Sequence, residues 1–370
     1  MKFFSNILPK KCSTILTLLS LLVLQQEVLA AEYPYTYRSF MYLGRGDTGI
    51  ADTDNEDAMF YNPGAIASGN GLYKKTVIPS LGLQFSQSTK DIIKQISLQD
   101  EEATDALRNA IGVPQHLGLN AFTGLILRRA AVGVYLNSTN TILIAKDPDE
   151  GAVEKASLES STTTGLAFSF AQDFLGNQGV GVTTRVIKKA QASASFIATD
   201  ASQVQDSDSF AMTGSALAFD LGYLFKYKGS TNFNLGATIE NFLGTAYTPD
   251  ENTTLAKEYW PLKDDPMTVN LGLSVEKIAR LSSFKFLLDY RDILNETGHT
   301  AMKRLHMGTE ISVDGYLGIT AGLNQGYPTI GTYMDIRLFR VDVGMYTEEI
   351  GDRAGERGDK RMFIRFLAGF

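Results

Sequence analysis

The feature that most constrains the fold is a regular alternation of apolar and polar residues, repeated in segments of about ten residues that end at turn-forming residues. Residues 232–241 are an example. Phe233, Leu235 and Ile239 fall on one face of an extended chain, and Asn234 falls on the other. A period of two residues is the period of a β-strand. The sequence therefore predicts an all-β protein.

The number and length of these segments distinguish two kinds of all-β fold. A soluble sandwich and a membrane barrel share the same local alternation, because each has one apolar and one polar face. Bacterial single-chain barrels have an even number of strands, each long enough to cross the bilayer in about 9–11 residues. We count fourteen segments, near residues 72–87, 116–128, 130–145, 158–171, 178–191, 210–227, 230–241, 266–277, 282–292, 302–313, 315–324, 328–338, 339–347 and 361–370. The sequence thus predicts a 14-stranded antiparallel transmembrane β-barrel over residues 72–370.

The connections between the segments also differ in length in the way that a barrel requires. Asp314-Gly315 is a tight hairpin signal. Longer polar links lie near residues 88–113, 146–157, 192–209, 243–265 and 348–360. Short turns on one side and long loops on the other are typical of outer-membrane barrels. Within the first long link, residues 91–111 are predicted to form a short surface helix.

The last segment alternates to the end of the chain, through Met362, Ile364, Phe366, Ala368 and Phe370. This ending resembles the C-terminal signature by which outer-membrane proteins are recognised by their assembly machinery. The resemblance implies that Phe366 and Phe370 form the assembly signal. It also implies that the barrel-assembly machinery and outer-membrane lipid are partners.

Residues 1–30 have the composition of a secretory signal peptide. Lys2, Lys10 and Lys11 precede an apolar run at residues 15–24, and small residues lead to a cleavage site near Ala30. A buried N-terminal helix is the alternative interpretation. Cleavage would leave no later stretch of the roughly 18–20 apolar residues that a membrane helix needs, so export predicts either a soluble protein or a barrel. The predicted location is the bacterial outer membrane.

Charge and cysteine content exclude several classes of protein. Cys12, the one cysteine, lies in the leader, so the mature chain would have no disulfide, thiolate zinc site or cysteine nucleophile. Without residues 1–30 the chain would carry 31 basic and 40 acidic side chains, a net charge of −9. A nucleic-acid partner would require a basic surface. We therefore expect no nucleic-acid partner.

Residues 31–71 do not fit the strand pattern, and they contain two motifs. Residues 43–51 read LGRGDTGIA and residues 58–67 read AMFYNPGAIA, with an acidic stretch between them. The pair resembles the N-terminal plug of the FadL-type outer-membrane transporters and the related PorV-like proteins, which carry "GxGGTGVA"-like and "ALYYNPAGLA"-like segments. Here Asp47 replaces the second glycine of the usual pair, and residues 62–65 read Asn-Pro-Gly-Ala.

The resemblance implies that residues 31–71 fold into the lumen as a plug, with Gly44, Gly46, Gly49, Asn62 and Pro63 as plug and gating residues. It also implies that lipophilic compounds pass through or out of the barrel wall. The motifs carry no substrate-contact residues. A plug is reasonable on physical grounds as well, because side chains alone cannot fill the lumen of a 14-stranded barrel.

The polar faces of the later segments supply charges that would line the lumen. The predicted residues are Glu240, Glu276, Asp289, Arg291, Glu310, Asp335, Arg337, Arg340 and Asp342. They could form salt bridges that stiffen the wall and hold the plug, or a polar path for a solute. Their mixed sign favours salt bridges, because selective pores usually carry one dominant sign.

Three sequence patterns suggest other chemistry, but the residues around them do not match what that chemistry requires. Residues 44–49 match the dinucleotide fingerprint, but no buried strand precedes them and no βαβ unit follows. The acidic run at residues 52–57 departs from calcium-loop spacing. His116, His299 and His306 stand outside any catalytic motif. We therefore expect no enzyme activity, no cofactor and no bound metal.

Three functions remain open. The first is passive, ligand-gated uptake of a small lipophilic compound, which predicts an apolar pocket behind the plug. The second is PorV-like docking of a secreted protein partner, which predicts a plugged lumen and ordered loops at residues 192–209 and 243–265. The third is a structural barrel associated with conjugation or the envelope.

Overall fold

The computed structural model describes residues 32–33, 35–53, 55–67, 73–89, 112–146, 154–197, 211–250, 262–336, 338–351 and 353–369. In this part of the chain the strands are β1 (Tyr73–Ser86), β2 (Gln115–Leu127), β3 (Ala130–Lys146), β4 (Glu154–Phe174), β5 (Gln178–Ile197), β6 (Ala211–Tyr227), β7 (Asn232–Glu240), β8 (Thr248–Pro249), β9 (Thr268–Ile278), β10 (Ser282–Tyr290), β11 (Leu305–Val313), β12 (Leu317–Asn324), β13 (Tyr327–Asp335), β14 (Phe339–Glu349) and β15 (Gly358–Gly369). Helical structure is short, at Leu43–Arg45, Ala58–Tyr61 and Pro63–Ala67.

The strands close into a barrel. Each wall strand is antiparallel to its neighbours, β1 pairs with β15, and β5 pairs with β6. The two-residue strand β8 pairs only with β6 and is not part of the closed wall. Fourteen of the described strands therefore form the wall. The predicted 14-stranded antiparallel barrel is confirmed, and each predicted segment overlaps one wall strand.

The two ends of the barrel differ in their connections. At the end that we call the short-turn end, β11 and β12 are joined through Asp314 and Gly315. Both residues have positive φ, 50° and 74°, as the two central positions of a type I′ hairpin turn require. The opposite, long-loop end carries the connections around residues 87–114, 147–153, 198–210 and 241–267. The predicted helix at residues 91–111 lies outside the described residues.

The wall exposes its apolar face and buries its polar face. On β12, Leu317 and Ile319 are exposed, Ile319 at 62%. Thr320, the next residue along the strand, is buried. On β15, Ile364 and Phe366 point outward, and Arg365 between them is almost completely buried. A soluble sandwich would bury the apolar face instead. The burial pattern is that of a membrane barrel, whose outer surface meets lipid.

The apolar outer band stops part-way along the longest strands. On β4, Phe170, Phe168 and Leu166 are exposed, but the outward positions beyond them are Thr164 and Thr162. Apolar residues are suited to lipid and hydroxyl groups to water, so the long-loop halves of β3, β4 and β5 extend past the lipid-facing band. We call this part of the barrel the projecting wall (residues 137–142, 158–164 and 188–192).

Residues 32–67 lie inside the barrel, and we call them the inner segment. Tyr37 stacks on Phe60 at 4.0 Å between ring centroids, and both pack against Phe122 and Tyr135 of the wall. The largest apolar cluster among the described residues is therefore formed between the inner segment and the wall. In the described part of the chain, no helix is long and apolar enough to cross a membrane.

Candidate functional site: the inner segment in the lumen

The glycine-rich turn of the inner segment lies directly against the wall. Gly46 has φ of 73°, and a Cβ at this position would collide with the carbonyl oxygens of Met307 and Leu323. A Cβ on Gly44 would lie 2.8 Å from the Cα of Gly331. Only glycine permits both the left-handed backbone and this close approach. Gly44 and Gly46 are thus explained by contact with β11, β12 and β13, whereas Gly49 packs against Tyr42 and Tyr61 of the inner segment.

Asp47, which replaces a glycine of the family motif, is buried at the centre of a charge cluster. Its carboxylate is 2.9 Å from Arg38 Nε and 3.3 Å from Arg291 Nη1, and it accepts a hydrogen bond of 2.7 Å from the Tyr61 hydroxyl. Burial alone would raise the pKa of Asp47, but the guanidinium groups of Arg291 and Arg38 outweigh it and lower the pKa to about 2. In its carboxylate form, Asp47 therefore links Arg38 and Tyr61 of the inner segment to Arg291 of the wall.

The backbone after Asp47 is held by a wall carboxylate. Gly49 and Ile50 donate their N–H groups to Asp289, at 2.7 and 3.1 Å. Arg45, at the start of the same turn, pairs with Glu310 at 2.8 Å. Two of the predicted lumen residues, Asp289 and Glu310, thus contact the inner segment directly, as does the predicted Arg291.

Arg45 also pairs with Asp52, at 3.0 Å, and Lys285 approaches Asp52 at 3.1 Å. Asp52, the first acid of the run that resembles a calcium loop, is therefore neutralised by side-chain cations. Among the described residues, no group of three or more possible metal ligands is present.

The second motif connects the first motif to the opposite side of the wall. Asn62 donates from Nδ2 to the carbonyl oxygens of Ile50 (2.8 Å) and Tyr223 (3.0 Å), and its Oδ1 accepts from the Gly64 N–H at 3.0 Å. A Cβ on Gly64 would lie 2.6 Å from the carbonyl oxygen of Gly179. Asn62 and Pro63 consequently sit at a tightly packed contact with β5 and β6.

Glu56 and Asp57 are adjacent acids of the inner segment whose pKa values are shifted in opposite directions, that of Glu56 downward and that of Asp57 upward. Glu56 forms ion pairs with Arg365 and with Lys75, the latter at 3.3 Å. Asp57 accepts a hydrogen bond of 2.7 Å from the Ser39 hydroxyl, and its carboxylate is 3.9 Å from Arg365. Burial and the neighbouring charge of Glu56 raise the pKa of Asp57 to about 6, although Arg365 acts in the opposite direction.

The remaining predicted lumen residues interact mainly within the wall. Glu240 accepts a hydrogen bond from Asn270 at 3.0 Å. Arg340 pairs with Asp342 at 2.8 Å and with Asp335 at 3.6 Å. Glu276 lies 3.9 Å from Lys285. Arg337 and Phe370 lie outside the described residues.

The sequence analysis did not identify several residues that hold the inner segment. Arg38 pairs with Glu348 at 2.8 Å, and Glu32 pairs with Arg361. Arg361 and Arg365 occupy alternate inward positions of β15, so the period-2 pattern contained a signal for both. Glu348 occupies an inward position of β14 in the same way, whereas Glu32 and Arg38 lie outside the strands and carried no such signal.

A chamber of about 490 Å³ lies in the long-loop half of the lumen. Its floor includes Tyr33, Tyr35 and Thr36 of the inner segment, and its sides include the projecting wall. A smaller cavity of about 40 Å³ adjoins it deeper in the barrel, near Arg185 and Arg291. Both cavities are lined by Tyr33, Tyr35, Thr36 and Pro266. The start of the inner segment therefore separates the chamber from the interior.

The three histidines take part in structural contacts. His116 Nδ1 is 2.8 Å from the Thr141 hydroxyl, and His306 Nδ1 is 2.9 Å from the carbonyl oxygen of Gly46. The ring of His299 lies 5.6 Å from the ring of Tyr33 at the floor of the chamber. His306 therefore contacts the inner segment directly.

The closed antiparallel wall, the apolar outer face and the occupied lumen define a membrane-spanning barrel of the outer-membrane type. No sequence-family model matches the chain, and no curated protein sequence matches it. The chain is similar in structure to the toluene transporter TbuX of Ralstonia pickettii, with a TM-score of 0.50 and 8% identity, covering 92% of this chain and 99% of that one.

Two further solved structures cover the chain to the same extent. The Pseudomonas putida toluene transporter TodX has a TM-score of 0.48 and 10% identity, covering 93% of this chain and 99% of its own. A Pseudomonas aeruginosa FadL homologue has a TM-score of 0.47 and 9% identity, with coverage of 92% and 99%. The predicted resemblance to FadL-type barrels is confirmed as a likeness of fold.

Proposed function

We propose that this barrel is a passive, ligand-gated channel of a bacterial outer membrane that takes up small lipophilic compounds. The observation that carries the proposal is the position of the chamber, which lies at the long-loop end and has the inner segment as its floor. Long loops face the outside of the cell in outer-membrane barrels. A compound entering from outside would therefore meet the chamber first and the inner segment next.

We place the moving part at residues 33–36, which lie before the two motifs and between the ion-paired Glu32 and Arg38. The turn at residues 44–49 and the Asn62-Pro63 pair pack too closely against the wall to shift without wider rearrangement. Within the described residues, the backbone of residues 33–36 receives a hydrogen bond only from a side chain, that of Asn137. A ligand that contacts Tyr33, Tyr35 or Thr36 would then open the chamber to the cavity beneath it.

A disulfide lock tests this mechanism. The Thr36 hydroxyl is 3.5 Å from the Asp265 carboxylate, and the mature chain would contain no native cysteine. We expect cells that express the Thr36→Cys, Asp265→Cys variant to take up the lipophilic dye N-phenylnaphthylamine several times more slowly when the variant is oxidised than when it is reduced. A pair on the outer face, Ser138→Cys with Thr162→Cys, is the control, because its hydroxyls are 2.8 Å apart and belong to neighbouring strands.

Oxidation of the control pair should leave dye entry unchanged. Equal dye entry in the oxidised and reduced forms of the lumen pair, with the disulfide verified by mass, would contradict gating at residues 33–36. Dye entry no faster than in cells without the barrel would contradict uptake itself.

Docking of a secreted protein is the second candidate. The observation that favours it is the projecting wall, whose outer face carries the hydroxyl groups of Ser138, Ser160 and Thr162 beyond the apolar band. Such a rim offers hydrogen-bonding groups to a protein partner. Native mass spectrometry of the barrel, extracted gently from its own membrane, would show a stoichiometric protein for docking and a small molecule for uptake.

A further inference from the structure

The chamber wall formed by β3, β4 and β5 is a grid of polar side chains. The strand register places Thr139 opposite Ser161 and Ser161 opposite Gln191. A second row runs through Asn137, Thr163 and Lys189. All six of these side chains line the chamber. Successive rows face the same side because each strand advances by two residues between them.

The uncharged members of the grid can both donate and accept hydrogen bonds. Hydroxyl groups of Thr139, Ser161 and Thr163 rotate to suit a ligand, and the amide of Gln191 presents a donor and an acceptor. A pure hydrocarbon seated against these groups would remove their water and return no hydrogen bond, which is unfavourable. A site built of hydrogen-bonding groups discriminates strongly against ligands that lack matching groups.

The floor and one side of the chamber supply apolar surface. The rings of Tyr33 and Tyr35 lie 5.0 Å apart between centroids, and Met212 and Leu262 also line the space. Aromatic rings of this kind contact the face of a planar or alicyclic ring. The chamber therefore combines a ring-sized apolar surface with a hydrogen-bonding wall.

The charges that line the chamber are balanced. The acidic residues are Glu32, Glu159, Asp264 and Asp265, and the basic residues are Arg38, Lys189, Lys263 and Arg361. Four of these charged side chains already form ion pairs with one another: Lys189 lies 2.8 Å from Asp265, and Arg361 pairs with Glu32. A charged ligand would have to break such a pair or remain uncompensated in a partly buried site. Balanced charge favours a neutral ligand.

We propose that the chamber binds a neutral amphipathic compound, with one ring-sized apolar part and several hydroxyl or carbonyl groups, in preference to a plain hydrocarbon. The volume of about 490 Å³ lies within the roughly 300–1,000 Å³ of sites for drug-sized ligands. This inference rests on the proposed uptake function for its biological meaning. Binding itself is testable without any assay of passage.

The test is calorimetric titration of the full mature chain in lipid nanodiscs with phenyl β-D-glucoside, in competition with toluene and with phenyl phosphate. We expect the glucoside to bind more tightly than either competitor. The Thr139→Val, Thr163→Val double variant should weaken glucoside binding about 10- to 30-fold, because two hydrogen bonds are lost at about 1 kcal/mol each. Thr164→Val is the control, since Thr164 occupies an outward position of the same strand and does not line the chamber.

Several results would overturn the inference. Toluene or phenyl phosphate binding as tightly as the glucoside would do so, as would equal glucoside affinity in the wild type and the double variant. Dye uptake by cells without any glucoside binding would overturn the inference and leave the uptake function intact. Glucoside binding without passage of any probe would overturn uptake and support the inference.

Discussion

At the scale of single residues, contact between the inner segment and the wall depends on buried charges and on close backbone approach. Asp47 shows how a departure from a family motif can be accommodated. The usual glycine would leave Arg38 and Arg291 without the carboxylate that lies between them. Buried cations are stable only when they are paired. Asp47 is therefore explained by its ion pairs with Arg38 and Arg291, two residues that lie outside the motif.

Gly46 provides a steric test of the contact with the wall. We expect Gly46→Ala to destabilise the docked inner segment, because the added Cβ would collide with the carbonyl oxygens of Met307 and Leu323. Gly244→Ala is the matched control, since Gly244 has nearly the same φ, 77°, and open space around it. The control should cost about 1–2 kcal/mol, the ordinary cost of a left-handed alanine. Gly46→Ala should cost more and should increase protease cleavage within residues 35–67. Equal effects of the two substitutions would contradict the close approach.

Asp57 makes the stability of the docked segment depend on pH. Its folded pKa of about 6 is above the ordinary value of 3.8, so the folded state favours the protonated carboxyl. The stabilisation from this group is complete below about pH 4, declines as the pH rises through about 6 and is then constant. Its size is at most about 3 kcal/mol.

The prediction is that the wild-type unfolding temperature falls between pH 4.5 and 7 and that Asp57→Asn makes this fall smaller. Glu56→Gln is a useful comparison, because removing its negative charge should lower the pKa of Asp57 and move the change to lower pH. Identical pH profiles for the wild type and Asp57→Asn would show that Asp57 does not titrate in this range.

At the scale of strands, much of the fold could be predicted because lipid and lumen act on alternate residues of the same strand. Each wall strand therefore carries a local signal, and β12 was predicted to within two residues at either end. The partners of residues 32–38 could not be predicted, because barrel closure brings together groups about 300 residues apart, such as Arg38 and Glu348. The predicted pocket was apolar, and the chamber does present apolar surface, but it also has a wall of polar side chains that was not predicted. This lining arises only when three strands align, which no single segment reveals.

The C-terminal strand gives a prediction about assembly. Phe366 is exposed on the outer face of β15 and stacks on Phe339 at 5.8 Å between ring centroids. We expect deletion of Phe370, or Phe366→Ala, to reduce the fraction of folded barrel at least several-fold. Folded barrels migrate differently in unheated and heated gels, which provides the measurement. Ile364→Ala removes an outward apolar side chain from the same strand and is the control. Normal assembly of both phenylalanine variants would remove the assignment of an assembly signal.

At the scale of the whole molecule, the barrel is an outer wall closed around its own N-terminal segment. The inner segment contacts strands on several sides, through Gly46 at β11 and β12, Asn62 at β6 and Glu56 at β15. Contacts on several sides make the segment resistant to displacement as a unit. Local movement of residues 33–36 is then the simplest way for a compound to pass, because it leaves those contacts in place.

The most direct test of the account is the conductance of the purified protein in planar bilayers, compared with a variant that lacks residues 32–67. We expect small, infrequent conductance for the wild type and large, steady steps for the variant, because the lumen of a 14-stranded barrel is too wide for wall side chains to fill. Gel mobility should first confirm that both proteins are folded barrels. The same small conductance in both folded proteins would contradict the claim that the inner segment closes the lumen.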